Sequence, residues 1–139
     1  MRARPSPTAG YSGAPLIDKL GIKRDARIQL VSPPDNLSTL LGAMPEGATM
    51  VSSGPLDFSM LFAKEKSQLV IGFPRLRDRL VSNGMLWVAW PKKTSGVNTD
   101  LTEGVVRTVG LELGLVDVKV CAIDDKWSGL KFVRRLKDR

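Results

Sequence analysis

The sequence predicts an α/β fold in which a doubly wound, mostly parallel sheet ends in an antiparallel C-terminal hairpin. Strand and helix periodicities alternate along the 139 residues. Residues 85–90 are continuously apolar, which is typical of a central strand covered on both faces. Near the C-terminus, apolar and polar residues alternate over 116–121, a turn follows at 124–126, and the chain returns along 130–136. This pattern indicates a hairpin.

The first half of the chain predicts a helix, a strand, a second helix and two further strands. The first helix has proline in its first turn and ends at Gly21, and the first strand ends at Pro33-Pro34. Leucines at i, i+3 and i+4 give the second helix one apolar face. These elements are predicted at residues 15–20, 27–32, 37–44, 49–52 and 56–63.

The second half predicts a long helix over residues 64–81 that is kinked or restarted at Pro74, because proline removes a backbone donor. Asn83-Gly84 is expected to close this helix before the central strand. A further helix is predicted to begin near Thr99 or Asp100, where Asp100 and Glu103 resemble a capping box. Its apolar face is predicted from Leu101, Val105 and Val109.

Composition limits the possible chemistry. The chain has no histidine, which excludes imidazole bases and His-containing zinc sites, and one cysteine, which excludes an internal disulfide. No apolar run approaches the length of a membrane span. We therefore expect a cytoplasmic protein with a flexible tail at residues 1–13, one Rossmann-like domain at 14–139, and no metal or cofactor. The net charge of +7 suits either a polyanion partner or simple solubility.

The best candidate site follows the central strand. Ligands of open α/β sheets bind beyond the carboxyl ends of the strands. Lysines, hydroxyls, a permissive glycine and the free N-terminal amides of the helix that follows together suit a phosphate or carboxylate. The alternative is a solvated turn. The candidate anion-binding residues are Lys92, Lys93, Thr94, Ser95 and Gly96, and Lys126, Trp127 and Ser128 are predicted to form a rim at the same end of the sheet.

The aromatic residues and the cysteine have more ordinary interpretations. Trp127 either stacks on a ligand ring or covers the rim of the core while Asp124 and Asp125 cap the turn. Trp87 and Trp90 belong to the central strand and are predicted to be core. Cys121 is expected to be buried and unreactive.

Several stretches resemble the second half of class I S-adenosylmethionine methyltransferases: residues 56–62 (LDFSMLF), 80–84 (LVSNG), 85–91 (MLWVAWP) and 114–117 (GLVD). Those enzymes carry an acidic, glycine-rich turn after the first strand, which lets the backbone approach the cofactor. The corresponding residues here are Leu30-Val31-Ser32-Pro33-Pro34, without glycine. The resemblance therefore implies the fold without the usual cofactor loop.

The whole chain also resembles a bacterial protein family known only as a domain of unknown function. The stretches that carry this resemblance are residues 10–13 (GYSG), 90–97 (WPKKTSGV), 100–103 (DLTE), 118–121 (VKVC) and 127–131 (WSGLK). This resemblance implies no activity.

The sequence thus predicts a degenerate methyltransferase-like domain that binds a small anionic ligand or an acidic partner without catalysis. One alternative is an enzyme, possibly a methyltransferase, acting on a nucleotide-like or acidic substrate with Lys92 or Lys93 stabilising charge. Another is a weak nucleic-acid-binding module. Charges at the C-terminus are expected on both faces of a strand near the sheet edge, which argues against sequence-specific recognition of nucleic acid.

Overall fold

The computed structural model describes residues 15–139, so the predicted tail at 1–13 lies outside the described residues. Within this part of the chain, six strands form one sheet in the order β2-β1-β3-β4-β6-β5. The strands are β1 (Arg27–Val31), β2 (Thr49–Met50), β3 (Leu56–Phe62), β4 (Leu80–Pro91), β5 (Leu115–Ala122) and β6 (Trp127–Arg134). The α-helices are α1 (Leu16–Leu20), α2 (Leu37–Leu41), α3 (Lys66–Arg77) and α4 (Glu103–Glu112).

Parallel pairing joins β2, β1, β3 and β4, and antiparallel pairing joins β4 to β6 and β6 to β5. The predicted α/β fold with a parallel sheet and an antiparallel C-terminal hairpin is confirmed. The second strand of the hairpin inserts beside β4, so β5 forms the edge of the sheet and β6 is internal. The basic residues of β6 therefore do not guard an edge.

The sheet carries one apolar layer on each face, as expected when helices cover both sides. One layer packs α3 and α4 against the sheet through Phe73, Val106 and Phe132. The other packs α1 and α2 against it through Leu20, Leu37 and Trp87. Trp87 and Trp90 are both buried, which confirms their assignment to the core.

The predicted extent of α3 is wrong at its C-terminal end. The helix runs through Pro74 and ends at Arg77, and Leu80 already belongs to β4. Burial of Leu69, Phe73 and Leu76 against the sheet stabilises the helix despite the backbone donor that proline removes. Asn83-Gly84 does not close the helix, because it lies within β4 where the register against β3 shifts.

The start of α4 also differs from the prediction. Thr102 is the N-cap, and its hydroxyl accepts a hydrogen bond from the Val105 N–H at 3.2 Å. Asp100 instead accepts a bond from the Lys66 N–H at 2.8 Å, so its carboxylate supports the start of α3. The buried face of α4 contains Val106 and Val109, and Val105 is only partly buried.

The alternation that predicts β5 does not correspond to its burial. Val118 and Val120 are about half exposed, at 53% and 51%, whereas Leu115 and Cys121 are buried. A register shift between Asp117 and Lys119 interrupts the alternation, and no strand within residues 15–139 covers this edge. None of the helices over residues 15–139 is long and apolar enough to cross a membrane.

Candidate functional site

Loops that follow β1, β3 and β4 meet the turn between β5 and β6 at the carboxyl edge of the parallel strands. Between them lies a crevice of about 250 Å³, which we call the carboxyl-edge crevice. Its position is the one where ligands bind to open α/β sheets. It is lined by Pro34, Asn36, Lys64, Pro91, Val97, Asp124, Asp125, Lys126 and Trp127.

The β5–β6 turn forms one wall of the crevice and is held by a buried carboxylate. Asp124 Oδ1 accepts hydrogen bonds from the N–H groups of Lys126 and Trp127, both at 2.8 Å. Asp125 is exposed, so only one of the two aspartates caps the turn as predicted. The Lys92 N–H donates to the Lys126 carbonyl at 2.8 Å, which ties the loop after β4 to this turn.

Trp127 is half-buried and contacts Phe62 edge-to-face, with ring centroids 5.1 Å apart. This contact fixes the indole as a wall of the crevice, since Phe62 is itself buried at the end of β3. The turn at Asp124 and the ring contact together hold Lys126 and Trp127 at the crevice. Ser128 pairs with Trp90 and Ala122 in the sheet and does not line the crevice.

The predicted anion loop lies beside the crevice and not in its lining. Residues Lys93–Ser95 form a short 3₁₀ helix, and Gly96 follows with a φ of 78°, which favours glycine. The Ser95 hydroxyl donates to the Lys92 carbonyl at 2.6 Å and accepts from the Val97 N–H at 3.1 Å. Lys93, Thr94 and Gly96 are exposed. The loop therefore presents Lys93 and Thr94 to solvent while Ser95 stabilises the turn.

Contrary to the prediction, no helix N-terminal amides adjoin this loop in the described residues. Because α4 begins at Glu103, six residues separate its first residue from Gly96. Its first turn is already capped through Thr102. Any anion bound by the loop would therefore rely on side chains and local backbone.

Lys64 is a crevice residue that the sequence interpretation missed. Its N–H donates to Gln68 Oε1 at 2.8 Å and its carbonyl accepts from the Thr99 hydroxyl at 2.6 Å, so its backbone is held from two sides. The available signal was its position directly after Phe62 and Ala63, where β3 reaches the carboxyl edge. The sequence interpretation also missed Asn36, which lies in the loop that follows β1 at the same edge.

The charges that line the crevice are mixed. Lys64 and Lys126 make no ion pair within residues 15–139, whereas Asp124 is occupied by the two backbone N–H groups of its own turn. Asp125, the other carboxylate that lines the crevice, is exposed. The arrangement can bind a small group with a negative charge beside an aromatic wall.

Outside the crevice, the described residues offer few groups for chemistry. Cys121 is 5% exposed, and burial raises the pKa of its thiol while the charges of Lys19 and Lys119 oppose that shift. This confirms that Cys121 is buried, and a raised thiol pKa disfavours nucleophilic reactivity. Within the described part of the chain, no three Cys, Asp or Glu side chains lie together as metal ligands do.

Comparisons by sequence give no relatives: no protein-family model matches the chain, and no curated protein does. Comparison with solved structures does find proteins of similar fold. A SAM dependent methyltransferase from Aquifex aeolicus aligns with a TM-score of 0.62 at 12% identity, over 84% of this chain and 86% of that one. Precorrin-6y C5,15-methyltransferase from Geobacter metallireducens aligns at 0.55 with 10% identity, over 86% of each chain.

Fibrillarin from Aeropyrum pernix, solved with natively bound S-adenosyl-L-methionine, aligns with a TM-score of 0.56 at 14% identity, over 89% of this chain and 70% of that one. Identities this low establish the architecture and not the activity. The chain has the Rossmann-like fold of class I S-adenosylmethionine methyltransferases.

Proposed function

We propose that this chain is a methyltransferase-fold domain that binds a small anionic ligand in the carboxyl-edge crevice and performs no methyl transfer. The observation that carries the proposal is the turn after β1. Residues Ser32, Pro33 and Pro34 stand where the resemblance implies a glycine-rich turn. Two consecutive prolines remove two backbone N–H donors and place rings where a cofactor would need close backbone approach.

The neighbouring backbone supports the same conclusion. The Leu37 N–H is already bonded to the Pro34 carbonyl at 3.1 Å, and α2 has only five residues. Ser32 has a φ of 55°, a left-handed conformation reached here without glycine. The residues that follow β2 are Val51, Ser52, Ser53, Gly54 and Pro55, and none of them is acidic. No carboxylate there could hold a ribose diol, so these residues do not fit S-adenosylmethionine in the usual mode.

The lysines that line the crevice indicate that its ligand is anionic. Lys64 and Lys126 line the crevice, and each has an ammonium group outside the ion pairs of the described residues. The loop containing Lys92, Lys93, Thr94, Ser95 and Gly96 borders the crevice through Pro91 and Val97. A volume of about 250 Å³ lies below the usual range for drug-sized ligands, which favours a small carboxylate or phosphate over a protein segment.

Calorimetric titration tests the proposal. S-adenosylmethionine, S-adenosylhomocysteine and inorganic phosphate are titrated into wild type, Lys126→Met, Lys93→Met and Lys137→Met. We expect phosphate to bind wild type and Lys137→Met, and Lys126→Met to weaken it by tenfold or more. Lys137 is the matched control because it is an exposed lysine beyond β6. The phosphate affinity of Lys93→Met measures how much the loop after β4 contributes to binding.

Two results would overturn the proposal. Micromolar binding of S-adenosylmethionine with release of S-adenosylhomocysteine would contradict the absence of methyl transfer. Equal phosphate affinity in wild type and Lys126→Met, or no phosphate binding at all, would contradict the assignment of the crevice.

A further inference from the structure

A second group of basic residues lies midway along β5 and β6, beneath the C-terminal end of α1. Lys119 on β5 is directly opposite Lys131 on β6, and Lys131 is in turn opposite Trp87 on β4. The three side chains share the face that α1 covers, because paired residues of adjacent strands point to the same side. Two like charges placed directly across a strand pair destabilise the sheet.

A hydrogen bond within the protein explains the position of Lys119. Its ammonium donates a hydrogen bond to the Lys19 carbonyl at 2.8 Å, in the last turn of α1. Trp87 Nε1 donates to the next carbonyl, that of Leu20, at 2.9 Å. The sheet thus satisfies two carbonyl groups at the end of this short helix.

No hydrogen bond or ion pair among the described residues explains the position of Lys131 in the same way. It is half-buried, and its Nζ lies 3.9 Å from the position that a Cβ on Gly21 would occupy. Burial lowers the pKa of its ammonium group, and the positive charges of Lys119 and Lys23 lower it further. No carboxylate of the described residues is among the charges that act on it. A partly desolvated cation beside two other cations is an unfavourable arrangement in the free protein.

A cavity of about 430 Å³ is lined by Lys23, Gly21 and Met85, and Lys131 adjoins it through Gly21. Lys119 and Lys131 themselves do not line the cavity. Most of the other charges that line it are already paired. Arg27 donates to Asp57 from its N–H, Nε and Nη2 at 2.9, 2.8 and 3.1 Å, and Arg24 is paired with Glu46 at 3.1 Å. Lys23 and Asp25 remain outside these pairs.

We propose that Lys23, Lys119 and Lys131 form a second anion site, which binds the diphosphate group of a small molecule whose body occupies the adjoining cavity. Three ammonium groups match the charge of a diphosphate, and bound oxygens would replace the repulsion between Lys119 and Lys131 with charge-assisted hydrogen bonds. The adjoining cavity of about 430 Å³ has a volume in the range that small-molecule sites occupy, which favours a small molecule over a nucleic-acid backbone. It is distinct from the carboxyl-edge crevice and does not rest on the function proposed for it.

Thermal unfolding and calorimetry with inorganic pyrophosphate test this site, with inorganic phosphate and ADP as comparison ligands. For wild type we expect pyrophosphate to raise the Tm by about 8 °C at concentrations near 100 Kd, and to bind more tightly than phosphate. Lys131→Met keeps the aliphatic stem and removes the charge, and we expect it to weaken pyrophosphate at least tenfold. Lys137→Met should keep wild-type affinity, and comparison with Lys126→Met measures any pyrophosphate that binds in the carboxyl-edge crevice. Tighter binding of ADP than of pyrophosphate would assign the cavity to the body of a nucleotide.

A second measurement does not depend on stability. The Lys131 ammonium can be titrated by NMR of its side-chain carbon, and bound pyrophosphate should raise its pKa because the anion stabilises the charged form. Pyrophosphate affinity that is equal in wild type and Lys131→Met would overturn the proposal. So would an unchanged Lys131 pKa at saturating pyrophosphate, or loss of binding in Lys126→Met alone.

Discussion

Substitution of Gly110 by alanine tests the packing of α4 on the sheet. A Cβ at this position would lie 2.0, 2.4 and 2.7 Å from Cε1, Cζ and Cδ1 of Phe132. Carbon atoms in contact prefer roughly 3.5–4.0 Å, so the ring or the helix would have to move by more than about 1 Å. The Phe132 ring is fully buried and packs edge-to-face on Phe73 at 5.3 Å, so it has no free space to enter.

The magnitude follows from two opposing effects. Overpacking in a core costs about 3 kcal/mol at the upper end of its usual range, and alanine gains about 1 kcal/mol over glycine in a helix. We therefore expect Gly110→Ala to lower the free energy of unfolding by about 2 kcal/mol. For a domain of this size that corresponds to a fall in Tm of about 6 °C. Urea denaturation with an unchanged m-value measures it.

The same helix supplies a matched control. A Cβ at Gly104 would have only the Thr102 hydroxyl oxygen near it, at 3.9 Å, and the position is exposed. Gly104→Ala should stabilise the protein by about 0.5 kcal/mol through helix propensity. Gly110→Ala should also cost less in a Phe132→Leu background, since the smaller side chain removes the contact. A Gly110→Ala variant as stable as wild type, or a cost unchanged by Phe132→Leu, would refute this account of α4 packing.

Three further predictions follow from charge and burial. Hydrogen bonding to Arg27 lowers the pKa of Asp57, so the pair stabilises the fold above the unfolded-state pKa of about 3.9 and loses that contribution as the pH falls further. Asp57→Asn should therefore destabilise at pH 7 and much less at pH 2, and equal destabilisation at both would contradict the assignment. Cys121 should react with a thiol reagent only after urea unfolding, and rapid reaction of the folded protein would show an accessible thiol. Arg134 donates to the carbonyls of Arg77 and Leu80 on the α3–α4 face, while Lys131 lies on the α1 face. We therefore expect weak nucleic-acid binding that disappears by 200 mM salt, and sequence discrimination that survives this salt would contradict it.

The candidate site shows where reasoning from local sequence stops. Lys126 and Trp127 lie at the carboxyl edge, because a hairpin turn after a strand that runs parallel to β4 must lie there. The sequence predicts Lys64 as the first residue of a helix, whereas in the structure it follows β3 at the same edge. The loop Lys92–Gly96 was predicted beside a helix N-terminus, but the extended segment after Gly96 delays α4 to Glu103. Whether that loop contributes to ligand binding stays a prediction.

The sequence by itself determined the order and type of the elements, the buried central strand and the hairpin, because hydrophobic periodicity, proline and glycine act over a few residues. The tertiary structure alone decided which strand lies at the edge, that α3 continues through Pro74, and that Lys119 faces Lys131. These features depend on strand register and on packing between residues distant in the chain. A shift of one residue in register would move each side chain to the other face, and no local pattern specifies it.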